Sequence, residues 1–169
     1  MEFLAQHHLL KDTKFVLFGQ SIGGAVCLST AAAHPDMVSW SGHPEADMQV
    51  SGVIVENTFL SLTSLVPHVM RFLPPLLVRL LLSDPWDATK TLPLIPASTP
   101  VLFLSGRQDE LVPQPQMIAL RDLRASSEKA RFRWCEFDGQ HNDTYLSQDY
   151  WRQVALWIDD CVEVDVEDN

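Results

Sequence analysis

Three residues of this sequence could do nucleophilic chemistry together: a serine, an acid and a histidine, each in a short polar loop after an apolar run. Ser21 stands in Gly19-Gln20-Ser21-Ile22-Gly23-Gly24. A serine hydroxyl is a weak nucleophile until a neighbouring base takes its proton. The glycine spacing suits a serine on a tight turn from strand to helix, where the backbone is strained and the side chains two residues either side must be minimal. Gly19 and Gly23 supply that space, and Gly24 adds a further small residue. Such a turn aims the start of the next helix at the hydroxyl, so the Ile22 N–H and the helix dipole can stabilise a developing oxyanion. The plain alternative is a glycine-rich turn with an incidental serine.

The acid is sought in Ser105-Gly106-Arg107-Gln108-Asp109-Glu110-Leu111-Val112-Pro113. Asp109 is the preferred candidate and Glu110, expected to face solvent, is its rival. The base is sought in Gly139-Gln140-His141-Asn142-Asp143, where His141 is the only histidine after the acid loop. A lone loop histidine is more often a surface residue, so the argument rests on three loops supplying three residue types in one order. His141 would take the Ser21 proton, and Asp109 would fix its tautomer and stabilise the imidazolium. Attack on an ester, thioester or amide carbonyl would give an acyl-enzyme that water cleaves. This chemistry needs no metal and no organic cofactor. His7, His8, His34, His43 and His68 have no acid or strand end beside them and are expected to be solvated or helix-capping.

For those loops to meet, the elements before them must lie side by side. Short β-rich runs alternate with longer helical patterns, which signals βαβ units and a parallel sheet. Strands are expected at Lys14–Gly19, Gly52–Glu56, Val101–Ser105 and Arg131–Phe137. The first is apolar enough to be covered on both faces. Helices are expected at about Ile22–Ala33, Gln114–Ala125 and Gln148–Val162, the last burying Trp151, Val154, Leu156, Trp157 and Ile158. Pro35–Gln49 reads as a polar loop. Asn57–Ala97, rich in Leu and Pro, is longer than a plain crossover requires. It reads as a lid-like insertion or, equally, as crossover helices packed on the sheet.

A chain of 169 residues, 46% hydrophobic and 20% charged, can bury one sizeable core, so a single domain over 1–169 is expected, with 57–97 as its insertion. The formal charge of -10 argues against nucleic acid as a partner, because no basic cluster could neutralise phosphates. Cys27, Cys135 and Cys161 form no C-x-x-C pair and read as reduced, mostly buried thiols. The opening residues lack the basic flank and long apolar stretch of a signal peptide. The greasiest later run, Phe72–Leu82, holds two prolines and an arginine and is short of the roughly 20 residues a spanning helix needs. Compartment stays open.

At these residues the chain resembles the α/β-hydrolase superfamily, and within it the Bem-like (bud-emergence) branch. The resemblance runs from about Asp12 to Val162 and rests on four segments: FGQSIGGAV, VENTFLSL from Val55, LFLSGRQDELVP from Leu102 and DGQHNDTY from Asp138. It implies that Ser21, Asp109 and His141 are the triad and that Glu56-Asn57 closes the strand beside the nucleophile strand, where both read first as structural. It implies a serine hydrolase of membrane-associated kin, taking a small-molecule or lipid-like acyl substrate or an acylated protein. Such a fold normally has four strands before the nucleophile strand, and this chain reaches that strand by Lys14. The expectation is therefore the C-terminal half of the fold: four parallel strands, flanking helices and the lid-like excursion. The loop that donates the second oxyanion N–H would be missing, with a cost of about 10² to 10³ in kcat, and the nucleophile strand would be left as a sheet edge. Besides an active hydrolase, an impaired truncated product and a non-catalytic binding module remain as readings.

Overall fold

The computed structural model describes residues 13–38, 48–69 and 86–163. The described chain runs β1 (Thr13–Gln20), α1 (Ile22–Ala33), α2 (Pro35–Val38), β2 (Met48–Glu56), α3 (Leu62–Val69), α4 (Ala88–Thr91), β3 (Val101–Gly106), α5 (Gln114–Ala125), β4 (Phe132–Phe137) and α6 (Tyr150–Glu163). Short 3₁₀ turns follow α4 at Leu92–Leu94 and precede α6 at Thr144–Leu146. The four strands form one parallel sheet in the order β1-β2-β3-β4. This is the parallel half-sheet expected, with β1 at its edge among the described residues.

Two strands are buried on both faces, and their side chains sort by the period of two. Val53 and Val55 of β2 and Val101 and Phe103 of β3 point to one side, where Leu28 and Ala31 of α1, Leu92, and Met117 and Leu120 of α5 complete a core. Ile54, Leu102 and Leu104 point to the other side, against Tyr150, Val154, Trp157 and Cys161 of α6. Each large side chain buried this way contributes roughly 1.5–3 kcal/mol, so the β2–β3 pair is the rigid centre from which the loops project. β1 differs from the expected fully covered strand: Phe15, Val16 and Leu17 are half-buried and Phe18 is 46% exposed, as an edge strand must be.

Several expected boundaries move. The stretch read as a polar loop at Pro35–Gln49 opens with α2 and closes inside β2, which begins at Met48 rather than Gly52; residues 39–47 lie outside the description. In α6 the buried stripe is 150, 154, 157 and 161, a helical spacing that leaves Trp151 57% and Leu156 44% exposed. Both were expected in the core; at 100° per residue they fall beside the stripe rather than in it. Of the excursion at 57–97, residues 70–85, which include all of Phe72–Leu82, lie outside the described residues. Its described ends pack on the domain: Asn57, Thr58 and Phe59 are buried at the sheet edge, and Ala88, Leu92 and Ile95 enter the core. α3, amphipathic but with no buried residue, lies between them.

The turn into β3 is held by a charge. Arg124 of α5 is fully buried and donates to the carbonyls of Ile95, Pro96, Ala97 and Thr99. Burial pulls its pKa down to about 10, still cationic at neutral pH. The cysteines are free thiols, Cys161 buried and Cys27 and Cys135 half-buried. His34 ends α1, its N–H donating to the Ala31 carbonyl. His68 Nδ1 lies 3.1 Å from the Ser64 carbonyl, exposed.

Candidate active site

The register aligns the C-terminal ends of the strands. Gln20 lies opposite Glu56, Glu56 opposite Leu104, and Gly106 opposite Phe137. The loops carrying Ser21, Asn57, Asp109 and His141 therefore leave one edge of the sheet, where open α/β sheets bind ligands.

Ser21 sits between β1 and α1 at φ 54°, ψ −123°, in backbone space that costs a non-glycine residue of order 1–3 kcal/mol. Its surroundings fix that conformation. The Ser21 N–H donates to the Glu56 carbonyl at 2.9 Å, and the Ser21 carbonyl accepts from the Thr58 hydroxyl at 2.6 Å. Ile22 opens α1, where the first N–H groups have no acceptor within the helix. The glycines divide the work differently from the motif reading. A Cβ on Gly19 would lie 2.2 Å from the Gly23 carbonyl oxygen, and one on Gly24 would lie 2.7 Å from Thr58 Cβ, whereas one on Gly23 would meet nothing within 4 Å among the described residues. The close approaches are thus at Gly19 and Gly24, and Gly23 contributes its backbone rather than an absent side chain.

Asp109 and His141 are brought together, both buried. His141 Nδ1 lies 2.8 Å from Asp109 Oδ2. The other oxygen, Oδ1, accepts from the Leu111 and Val112 amides at 2.9 and 2.7 Å, so the carboxylate is anchored at both ends. Glu110 is exposed as expected, and it also accepts from the His141 amide at 3.2 Å. Its own amide and that of His141 hold its carboxyl below the usual range. The ring partner is therefore Asp109, and Glu110 contacts the loop backbone.

Ser21 and His141 are joined through neighbours. Gln20 Nε2 donates to the His141 carbonyl at 2.6 Å. No hydrogen bond runs from Ser21 Oγ to the imidazole among the described residues. Four residues that single motifs do not reveal complete the site: Gln20, Asn57, Thr144 and Tyr150. Glu56 is 3% exposed, and its Oε2 accepts from the Tyr150 hydroxyl at 2.7 Å while Oε1 has no partner among the described residues. Burial raises the Glu56 pKa, against the lowering pull of Tyr150 and His141; burial and Glu56 push the Tyr150 phenol upward, so it stays a donor. A cavity of about 280 Å³ opens beside the Ser21 turn, with Phe18, Gln20, Glu56, Tyr145 and Trp151 in its wall. Among the described residues no group of three or more His, Cys, Asp or Glu side chains could hold a metal ion.

A parallel sheet whose strand ends present a serine at a strained strand-to-helix turn, with a buried Asp–His pair beside it, defines the α/β-hydrolase class, and solved structures agree. The chain superposes on an α/β-hydrolase from Vibrio vulnificus with a TM-score of 0.67 at 17% identity, covering 92% of this chain and 52% of that one. It superposes on Zea mays acyl-protein thioesterase 2 with a TM-score of 0.58 at 14% identity, covering 95% and 60%. At such identities the likeness is one of fold.

Sequence narrows the class to the Bem-like branch, to which the chain belongs. It is 35% identical over 160 residues to the protein bem46 of Schizosaccharomyces pombe, 94% of this chain and 48% of that protein. It is 38% identical over 152 residues to the uncharacterized membrane protein YNL320W of Saccharomyces cerevisiae, 85% and 47%. The α/β hydrolase domain-containing protein WAV2 of Arabidopsis thaliana is 31% identical over 163 residues, 89% and 48%. The chain thus spans about half the length of the curated relatives it matches and carries part of the α/β-hydrolase fold. No protein-family model matches it. One relative is named as a membrane protein; among the described residues of this chain, no helix is long and apolar enough to cross a membrane.

Proposed function

We propose that the chain carries the catalytic half of a serine hydrolase that cleaves an acyl ester or thioester. The observation behind this reading is the buried 2.8 Å contact between His141 Nδ1 and Asp109 Oδ2, at the same sheet edge as the strained Ser21 turn. With Nδ1–H donated to Asp109, Nε2 is left as the basic nitrogen. It takes the Ser21 proton as Oγ attacks the acyl carbonyl, and the Ile22 N–H supports the oxyanion. The same imidazolium then protonates the leaving alcohol or thiol, and water releases the acid. Contacts between nucleophile and base are often loose without substrate and tighten in the complex, which suits the absence of a direct Ser21–His141 bond. The cavity beside the Ser21 turn, walled largely by aromatic residues, offers an apolar surface to an acyl chain. The substrate is a small or lipid-like acyl ester, or an acyl group on a protein; neither a metal nor an organic cofactor enters the scheme, and nucleic acid is not a partner.

The test is covalent labelling by a fluorophosphonate probe. Wild-type chain should label and Ser21→Ala should not; equal labelling of both would overturn the assignment of Ser21. A second reading, that turnover needs residues from the rest of the fold, is favoured by the 48% coverage of the bem46 relative. It expects a folded chain that stays unlabelled, with labelling regained in a protein of the relatives' full length.

A further inference from the structure

Asn57 makes more hydrogen bonds than the end of a strand needs. Its backbone N–H donates to the Leu104 carbonyl at 3.1 Å. Its side chain, 1% exposed, reaches two further elements at once. Oδ1 accepts from the Gly106 amide at 2.7 Å, on the strand that leads to Asp109. Nδ2 faces three acceptors of the histidine loop: Thr144 Oγ1 at 2.8 Å, the His141 carbonyl at 3.2 Å and the Gln140 carbonyl at 3.3 Å. The Thr144 hydroxyl sends its own proton to the Gln140 carbonyl at 2.6 Å, which frees its lone pair for Asn57. The His141 carbonyl also receives Gln20 Nε2, from the residue next to Ser21. One amide therefore ties the acid strand to the base loop, and a second ties the base loop to the nucleophile turn.

We infer that Asn57 is the positioning residue of the general base: it sets the His141 loop against the strand carrying Asp109, so that the ring meets the carboxylate with Nε2 turned to Ser21. The inference rests on the hydrolase reading above and deepens it. The chemistry at this position calls for an asparagine. A side-chain amide carries its acceptor and its two donors on separate atoms, so at this short reach it can accept from the Gly106 amide and donate to the histidine loop at once, and Asn tolerates the φ of 44° found here better than most side chains with a Cβ. Aspartate has the same shape but would turn an oxygen toward three oxygens. Burial makes such a mismatch costly, because neither water nor solvent charge can relieve it. Asn57 touches no reacting atom; its effect passes through the geometry of His141.

Asn57→Asp in the 169-residue chain tests this by two readouts that differ in kind. The first is the downfield proton resonance of His141 Nδ1–H bonded to Asp109, assigned by its loss in His141→Gln. The second is the rate of covalent labelling by a fluorophosphonate, separated from probe affinity by its concentration dependence. The inference expects the resonance to vanish or broaden and the maximal labelling rate to fall about 100-fold, the usual penalty for a misplaced group, with probe affinity changing far less. A folded Asn57→Asp that keeps both resonance and rate would overturn it, as would a wild-type spectrum without the resonance. If Asn57→Asp does not fold, Thr144→Val, close in shape and lacking one acceptor of the clamp, is judged by the same criteria. A wild type that shows the resonance but never labels would count against the hydrolase reading alone, and loss of the resonance in the variant would still support the clamp.

Discussion

At the scale of single residues, the site is a set of buried polar groups whose partners are spoken for. Asp109 uses one oxygen for the imidazole and the other for two backbone amides. In Asp109→Asn the loop can still form, but an amide facing Nδ1 favours the wrong tautomer; the labelling rate or turnover should fall by about 10⁴. Glu110→Gln, which leaves the ring partner intact, should cost less than about tenfold, and a ranking in the opposite order would move the acid to Glu110. Glu56 behaves differently, because burial disfavours its charged form and one oxygen lacks a partner among the described residues. Its pKa in the fold lies above the unfolded value, so the carboxyl adds relative stability below the ordinary carboxylate range and loses it as pH rises through the raised pKa. Urea unfolding of wild type and Glu56→Gln at about pH 4 and pH 8 should show the variant gaining on wild type at the higher pH. A difference that does not change with pH would show that Glu56 titrates normally.

At the scale of elements, the strand-to-helix turn depends on how closely β1 and α1 approach. Gly19 faces the Gly23 carbonyl, and no shift of a flexible side chain can relieve a Cβ placed there. Gly19→Ala should therefore destabilise the chain by about 1–3 kcal/mol and impair labelling. Gly23→Ala meets no neighbour among the described residues and, inside α1, should be neutral or stabilising by up to about 1 kcal/mol. Urea midpoints of the two variants decide this, and equal losses would restore the symmetric reading of the glycine motif. The backbone of Ser21 is held by the Glu56 carbonyl at the end of β2 and by the Thr58 hydroxyl just beyond it, so the strained turn depends on β2 and its following loop as well as on β1.

At the scale of the whole molecule, β1 leads into the Ser21 turn yet pairs on one side only among the described residues. An apolar strand edge is a template for another chain, and exposed Phe18 beside the cavity adds to that surface. The net charge of -10 opposes association only weakly at physiological salt, where charges more than about 8 Å apart are screened. The 169-residue chain should self-associate, and Phe18→Glu should shift it toward monomer in sedimentation velocity. A wild type that stays monomeric at all concentrations would show the edge to be protected.

The local order of the chain carried much of this by itself. Alternation of apolar runs with helical patterns fixes four parallel strands, because period and length are local properties, and the Gly19–Gly24 turn is legible because its glycines answer a local steric demand. Ser21, Asp109 and His141 could be singled out because each follows a strand in an order that one topology explains. Only the tertiary structure decided which acid faces the imidazole, since Asp109 and Glu110 are neighbours in sequence and differ in the direction their side chains take. It also decided which glycines are crowded, that Trp151 and Leu156 stay outside the core, and that Asn57 joins the end of β3 to the histidine loop. Those outcomes depend on what lies opposite each residue in space, and a hydrogen bond across 49 or 87 positions leaves no trace in local spacing.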